Sequence, residues 1–320
     1  MAVSARQKSE AQLDALQALD PAAERATQNE IIGKALGDKY ARVVAKAARL
    51  AGERHLHERE QDLLAAYARF LNDAVKRDPT CLAKGAIARA LVELECRDVP
   101  FFLEGIRYVQ LEPVWGGTAD TAVDLRSSCA MGLAASGYSR AIQELATLLA
   151  DKEPRARQGA ARAISCGNPR EAEALLRFKV LSGDAEPEVI GECFTGLLSI
   201  APDDCVAFVG AQLASANDAI RDFAALALGE SRHSAALQEL RDAWGHAYVA
   251  ADMRAVLIRA AALHRTDAAF DWLVSIIETG SRTQAEITVD ALSVYERNTK
   301  LSERVRAALA KRADEDSVDA

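Results

Sequence analysis

The chain is poor in aromatic residues, prolines and histidines. Each shortage limits the folds or the functional sites that the chain can form. Aromatic residues make up 5% of its 320 residues, so the core must be built mainly from aliphatic side chains and alanine. Its eight prolines leave room for many helices, because proline interrupts a helix interior. Its five histidines form no HExxH motif, and His55 and His57 would point in different directions on a helix. We therefore expect surface histidines and no metal site.

Further absences concern cofactors and the cellular compartment. The six cysteines form no CxxC pair, which predicts free thiols and a reducing, cytoplasmic environment. The first nineteen residues contain no apolar segment typical of a signal peptide, and no apolar run is long enough to span a membrane. A glycine-rich phosphate loop and a GxSxG motif are also missing, so neither a cofactor nor a catalytic residue is predicted.

Positive charge is scarce in the later part of the chain. Residues 1–110 hold 17 Lys/Arg and 16 Asp/Glu, whereas the remaining residues hold 22 and 31, for a net charge of −8 overall. Proteins that bind nucleic acids usually present a basic field to the phosphates. The charge balance therefore disfavours a nucleic-acid partner.

What the chain does contain is an internal repeat. Small or apolar residues return at positions i, i+4, i+7 and i+8 in five segments, which start at Leu125, Ala156, Val189, Ile220 and Met253. The starts are 31, 33, 31 and 33 residues apart, which gives each unit room for two short helices and two turns. Stacked units of this kind share one continuous core. The sequence therefore predicts an all-α fold, an α-solenoid superhelix of about seven to eight helix pairs.

One unit carries a family resemblance. The segment 151–164, DKEPRARQGAARAI, resembles the first helix of a HEAT repeat, in which an acidic residue and often a proline precede the helix and an apolar residue is followed by arginine. The opening returns as DAEP at 184–187, and the apolar-Arg step returns at Leu125-Arg126, Ile220-Arg221 and Met253-Arg254. The resemblance implies an α-solenoid of HEAT-like pairs, structural Asp and Arg ladders between repeats, and a protein-binding scaffold.

The repeat also suggests a division of the chain. We expect an N-terminal helical cap over residues 1–37, a HEAT-like solenoid over 38–312 and an acidic tail over 313–320. End repeats of a solenoid need such a polar cover.

One irregularity interrupts the solenoid. The first-helix register jumps by about 42 residues, from Ala83 to Leu125, so about ten residues are inserted within 110–122. Pro113 and the Gly116-Gly117 pair do not suit a helix interior, so the insertion is predicted to be a loop, and long loops in compact repeats are often functional.

The repeat, with no catalytic constellation, favours a non-enzymatic scaffold or adaptor that holds another protein on its concave face. In HEAT proteins the second helix of each pair lines that face, so the resemblance points to cations on those helices. With the tryptophans, which are frequent at interfaces, the candidate binding residues are Trp115, Arg107, Arg177, Lys179, Arg241 and Trp272. Trp115 lies in the insertion, where it either packs back onto the loop or contacts a partner. Trp244 is expected in the core.

Two alternatives come from other function classes. The chain is similar in repeat type to the HEAT-like alkylpurine DNA glycosylases, whose aromatic and acidic residues line a basic groove; Trp244, Trp272 and Asp271 are the possible counterparts. It is also similar in size and repeat type to HEAT-like phycobilin lyase subunits, although no pigment-site motif is present. The net charge weighs against the first alternative, because phosphate contacts dominate affinity for DNA.

Overall fold

The computed structural model describes residues 5–246 and 250–318, and helices dominate both ranges. In them lie nineteen helices and one antiparallel pair of strands, so the predicted all-α class is confirmed. The helices are α1 (Ala5–Gln17), α2 (Arg25–Leu36), α3 (Ala41–Glu53), α4 (Glu60–Leu71), α5 (Ala74–Arg77), α6 (Leu82–Glu93), α7 (Val99–Arg107), α8 (Val123–Ala135), α9 (Ala141–Leu149), α10 (Pro154–Ser165), α11 (Pro169–Ser182), α12 (Pro187–Ile200), α13 (Pro202–Gly210), α14 (Asp218–Ser231), α15 (Ser234–Gly245), α16 (Ala251–His264), α17 (Asp267–Thr279), α18 (Arg282–Ser293) and α19 (Thr299–Val318). The strands are β1 (Leu111–Val114) and β2 (Gly117–Asp120).

Helices of two kinds alternate along the chain from α3 onward. The first helices are α3, α6, α8, α10, α12, α14, α16 and α18, and the second helices are α4, α7, α9, α11, α13, α15, α17 and α19. The alternation agrees with the predicted seven to eight helix pairs of a helical-repeat fold.

The helices form two compact units, Met1–Asn168 and Pro169–Ala320. In the first unit α3, α6, α8 and α10 pack one against the next, with α4, α7 and α9 packed on them. In the second unit α12, α14, α16 and α18 stack in the same way. Helices α1 and α2 pack against α3, where the sequence predicts a cap. The boundaries proposed from the sequence, 1–37, 38–312 and 313–320, remain predictions.

The repeated register positions form the core of each unit. Ala156, Ala160, Ala163 and Ile164 of α10 are completely buried. The equivalent positions of α8, α12, α14 and α16 are buried too, except for the half-buried Ile220. Because these positions carry small residues, neighbouring first helices approach closely and bury a continuous apolar surface.

One helical segment, residues 60–77, is interrupted. It is divided into α4 and α5, and between them Asp73 adopts a left-handed backbone with φ +53°. Aspartate tolerates this conformation better than most residues because its short side chain can bond locally. At the start of the next first helix, α6, the buried Asp78 carboxylate accepts hydrogen bonds from the amides of Ala83 and Lys84 at 2.7 and 3.0 Å.

One further expectation, about the histidines, is corrected at a single place. His264 is buried, not on the surface: its Nδ1 lies 2.8 Å from Thr266 Oγ1 and its Nε2 lies 3.1 Å from the His233 carbonyl oxygen. The backbone of α19 continues through the acidic segment predicted as a tail and ends at Val318. Across the ranges that the structure covers, no helix is both long and apolar enough to cross a bilayer.

The arginines of the apolar-Arg step bond to backbone carbonyl oxygens that precede their own helices in the chain. Each donates to a backbone carbonyl oxygen: Arg157 to Asp151 at 2.9 Å, Arg221 to Ser215 at 2.8 Å and Arg254 to Trp244 at 3.3 Å. Arg126 also bridges two carboxylates: its Nη1 lies 2.6 Å from Asp120 Oδ2, and its Nε lies 3.3 Å from Asp151 Oδ2. Arg126 is buried, so this pair of contacts is a structural link between two turns.

Candidate functional site

The six candidate binding residues do not form one site. Trp115 and Arg107 belong to the first unit, at the turn after β1 and at the end of α7. Arg177, Lys179, Arg241 and Trp272 belong to the second unit, on α11, α15 and α17. Among them, Arg241 and Trp272 are in direct contact, with the guanidinium carbon 5.7 Å from the indole centroid.

The candidate cations of α7 and α11 are engaged within the protein. Arg107 donates to Glu144 of α9, with its Nη2 2.6 Å from Oε1. Arg177 donates to Glu173 at 2.8 Å and to the Asp204 carbonyl at 2.7 Å. Its neighbour Lys179 forms an ion pair with Asp184 at 2.7 Å. A partner that used these side chains would have to displace existing contacts.

Arg241, Trp272 and Trp244 are also engaged in contacts within the protein. Arg241 Nη2 donates to the Ala268 carbonyl at the start of α17 at 2.8 Å. Trp244 and Trp272 meet edge to face with centroids 5.9 Å apart, and Arg254 lies 4.6 Å over Trp244. Trp244 is half-buried against the last core cluster and is therefore less enclosed than predicted. Asp271 forms an ion pair with Arg304 of α19.

Trp115 differs from all these residues because no part of the chain that the structure describes covers it. It is fully exposed, at 103% of reference accessibility. The idea that it packs back onto the insertion is therefore wrong, and of the two predicted roles the contact with a partner remains. Three further apolar side chains of the same segment are about half exposed: Val109, Leu111 and Val114.

The insertion that carries Trp115 is a β-hairpin rather than an irregular loop. Val114 pairs with Gly117 and Leu111 pairs with Asp120, so the turn consists of Trp115 and Gly116 alone. Gly116 has φ +88°, a left-handed conformation that glycine adopts without strain at the third position of a type II turn. A two-residue turn between paired strands fixes the direction of the Cα–Cβ bond from which the indole projects.

The base of the hairpin is anchored by a buried polar network around Glu112. Its Oε1 accepts hydrogen bonds from the Thr80 amide, Gln110 Nε2 and Thr121 Oγ1, each at 2.7 Å. Gln110 Nε2 also donates to the Asp78 carbonyl at 2.9 Å. Strand alternation explains the arrangement, because Glu112 faces the helices while its neighbours Leu111 and Pro113 face solvent.

Two buried ion pairs flank the polar network around Glu112. Lys84 Nζ lies 2.9 Å from Asp78 Oδ2, and both side chains are completely buried. On the other side the buried Arg126 binds Asp120, whose Oδ1 also accepts from the amides of Gln110 and Ala122. Removing a charge from either pair would leave its partner buried without compensation, so these contacts hold the hairpin in one arrangement.

The electrostatics of the two hairpin carboxylates reflect these bonds. Burial opposes ionisation of Glu112, but hydrogen bonds from Thr121, Gln110 and Thr80 outweigh it and hold the pKa of Glu112 below its usual value. Burial likewise raises the pKa of Asp120, and donors from Ala122, Arg126 and Gln110 more than reverse the effect. Both groups are therefore ionised at neutral pH and accept the bonds that anchor the hairpin.

Metal binding finds no ready-made site in the parts of the chain that the structure covers. Within residues 5–246 and 250–318, no group of three or more His, Cys, Asp or Glu side chains could hold a metal ion. What the hairpin offers is chemistry for contact: an exposed indole, apolar neighbours and a rigid base.

Comparison with known proteins gives a likeness of fold at most. No protein-family model matches the chain, and no curated protein is significantly similar in sequence. Solved structures that resemble it include human deoxyhypusine hydroxylase, at 15% identity over 92% of this chain and 97% of that chain with a TM-score of 0.31. An engineered protein matches at 15% identity over 98% and 96%, with a TM-score of 0.39. The complex of CpcE and CpcF of phycocyanin lyase from Nostoc sp. PCC7120 matches at 13% identity over 92% and 97%, with a TM-score of 0.38.

Proposed function

We propose that this chain is a non-enzymatic scaffold or adaptor and that it binds another protein through the tip of the β1–β2 hairpin. The observation that carries the proposal is Trp115, which is fully exposed at the end of a hairpin with an anchored base. An exposed tryptophan on a soluble surface is unfavourable unless a contact covers it, because the indole presents a large apolar area to water.

The rigidity of the hairpin matters as much as the exposure of its tip. A mobile loop loses backbone conformational entropy when it binds, whereas a fixed turn has already lost most of that backbone entropy on folding. Tryptophan is enriched among the residues that dominate interface energies, where truncation to alanine typically weakens binding by about 2 kcal/mol or more. Val114 and Leu111 would extend the same contact at its margin.

The hairpin is a better contact element than the cations of the second helices. Arg107, Arg177, Lys179 and Arg241 already have partners within the protein, and a charge that exchanges one partner for another gains little. A concave-face site built on these residues remains a prediction from the HEAT resemblance. The glycosylase alternative is not favoured by any contact, because its possible counterparts Trp244, Trp272 and Asp271 bind residues of this chain.

The proposal is tested by capture of binding partners on immobilised protein. Trp115→Ala should abolish capture of the principal partner, or weaken it by at least about tenfold, because the indole is the expected hot spot. Val294→Ala is the matched control, because Val294 is an exposed apolar residue at 76% accessibility in the other unit. It should leave capture unchanged.

The variant should also be neutral for folding, which separates contact from structure. Trp115 supports no buried side chain, so Trp115→Ala should keep the helical circular dichroism and the thermal midpoint of the parent protein. Equal capture by the parent and by Trp115→Ala would overturn the proposal.

A further inference from the structure

The outer edge of strand β2 carries main-chain groups that the hairpin itself does not use. In an antiparallel pair, residues that bond to each other alternate with residues whose N–H and C=O groups point away from the partner strand. The Thr121 amide donates to the Gln110 carbonyl at 2.9 Å, and the next pair along the register is Leu111 with Asp120. Because bonded and non-bonded pairs alternate, this bond places the main chains of Asp120 and Thr118 on the outer edge of β2.

Both residues present this main chain to solvent. Thr118 is exposed. The Asp120 side chain is completely buried against Arg126, yet the residue as a whole is partly exposed, so the exposed part is its main chain. In the described part of the chain, no group outside the hairpin bonds to the N–H or C=O of Thr118. The flanking residues Gly117 and Ala119 are small and leave the edge open.

The opposite edge of the hairpin, on β1, is blocked. Pro113 pairs with Thr118, so its main chain also points outward, but proline has no N–H to donate. Proteins commonly protect an exposed sheet edge with proline or lysine, because an open edge pairs with other strands. Strand β2 contains neither residue, so the hairpin is closed along one edge and open along the other.

We propose that an extended segment of the partner protein adds to the outer edge of β2 as a third strand. This proposal rests on the proposed function, because it names the kind of segment that lies against Trp115. Hydrogen bonds to Thr118 and Asp120 align the segment beside the turn, while the exposed indole and Val114 supply apolar contact. The edge offers only two outward residues, so the indole has to provide most of the contact area.

A second copy of this chain fits the edge less well than a strand of another protein. In symmetric antiparallel pairing about Ala119, Thr118 of one copy opposes Asp120 of the other, and residue 115 then opposes residue 123. Helix α8 begins at residue 123, so the turn of each copy would run into a helix of the other. A free extended segment meets no such obstacle.

The test uses a cyclic β-hairpin peptide whose free edge alternates threonine and valine, added to the full chain and followed by amide hydrogen exchange and calorimetry. The peptide should slow exchange of the Thr118 and Asp120 amides and leave the Ala119 amide, which bonds within the hairpin, unchanged. N-methylation along the free edge of the peptide should abolish binding, because it removes the donors that a third strand needs.

An ester in place of the Thr118 amide removes the outward N–H but keeps the side chain and the N–H donors between β1 and β2. It should weaken binding of the peptide by about tenfold. The matched control is the same replacement at the exposed Thr299, in the first turn of α19, where amides also lack partners within their helix. That ester should leave the affinity unchanged.

Unchanged exchange of the Thr118 amide at millimolar peptide would overturn strand addition, and so would equal binding of the N-methylated peptide or equal losses from the two esters. Protection of the Thr118 amide in the parent protein alone, increasing with protein concentration, would assign the edge to a second copy and refute a foreign strand. Partner capture that requires Trp115 but tolerates the Thr118 ester would keep the proposed function and refute strand addition. Capture that tolerates Trp115→Ala, together with binding of the peptide at the edge, would refute the proposed function alone.

Discussion

Glu112 and Thr80 join the hairpin to the turn before α6: the Thr80 amide donates to Glu112 Oε1 over 2.7 Å, although the two residues are 32 positions apart. The carboxylate oxygen is buried and receives two further donors, so strand β1 has little freedom to move relative to that turn. This contact distinguishes the insertion from an ordinary surface loop, whose backbone is usually mobile. It is the physical basis for treating Trp115 as presented in a fixed position.

Acid should weaken the anchor of the hairpin. The pKa values of Glu112 and Asp120 lie below their unfolded values of 4.5 and 3.8, so their contribution to stability is complete above those values and is lost as pH falls through the folded pKa. We expect the free energy of unfolding, measured in urea, to fall between about pH 5 and pH 3 more steeply in the parent protein than in Glu112→Gln. If the free energy of unfolding had the same pH dependence in both proteins, Glu112 would not be the source of the acid sensitivity. As a control, substitution of the exposed Glu230 by Gln should leave the pH dependence of the parent protein unchanged.

The buried pair Lys84–Asp78 should be the most sensitive charge pair of the first unit. Lys84→Met leaves the Asp78 carboxylate buried without its cation, and breaking a buried pair in this way typically costs about 3–5 kcal/mol. The double variant Lys84→Met with Asp78→Asn removes both charges and should be less destabilised than Lys84→Met alone. Chemical denaturation of the three proteins measures the difference. A loss below about 1 kcal/mol in Lys84→Met would show that the pair is not coupled as tightly as its burial indicates.

Close helix packing in the second unit should make one glycine irreplaceable. A Cβ at Gly229 of α14 would lie 2.2 Å from the Ala260 carbonyl oxygen of α16, and a backbone atom cannot move aside without shifting its helix. Gly229→Ala should therefore lower the free energy of unfolding by about 1–3 kcal/mol or more.

Gly85 of α6 is the matched control for Gly229, because a Cβ there would meet nothing within 4 Å. Gly85→Ala should raise the free energy of unfolding by about 0.5–1 kcal/mol, since alanine is the better helix former. If both substitutions changed the free energy of unfolding in the same direction, the close approach of α14 and α16 would be refuted.

Thiol labelling tests the register of the core. Cys166 is exposed and the other five cysteines are buried, and burial raises the pKa of Cys81 and of Cys193 to about 12. Because the thiolate is the reactive form, a disulfide reagent at neutral pH should label one thiol quickly in the native protein and six in denaturant. Cys166→Ser should remove the fast reaction, and a second fast thiol in that variant would contradict the burial of the register.

The repeat could be predicted because its signal is local and returns many times. Four small or apolar positions recur every 31–33 residues, and each unit repeats the evidence, so Ala156 and Ala160 were placed in the core without any knowledge of their neighbours. The hairpin has no such support: its strands are four residues long and β1 contains Pro113, which is too little for a strand pattern. Its stability comes from contacts such as Glu112 with Thr80, which local sequence does not reveal.

Some ion pairs between successive units do have a signal in the sequence. Arg25 pairs with Glu58, Asp271 with Arg304, and Glu278 with Lys311, and each pair is separated by 33 residues. This is the spacing of the repeat itself, so a cation and an acid one period apart occupy equivalent places on successive units. Searching at that offset would have indicated that Asp271 and Glu278 pair with the next second helix, but it would not have found the partner of Arg107, which lies 37 residues away.

The most direct test of the account is site-specific photo-crosslinking from the hairpin tip. A photoreactive phenylalanine analogue at position 114, which leaves Trp115 in place, should crosslink to a protein partner in cells, whereas the same analogue at the exposed position 294 should not crosslink to that partner. The account predicts a covalent adduct from position 114 that disappears in the Trp115→Ala variant. Crosslinking of the same partner from position 294 with equal yield, or an adduct from position 114 that persists in Trp115→Ala, would contradict it.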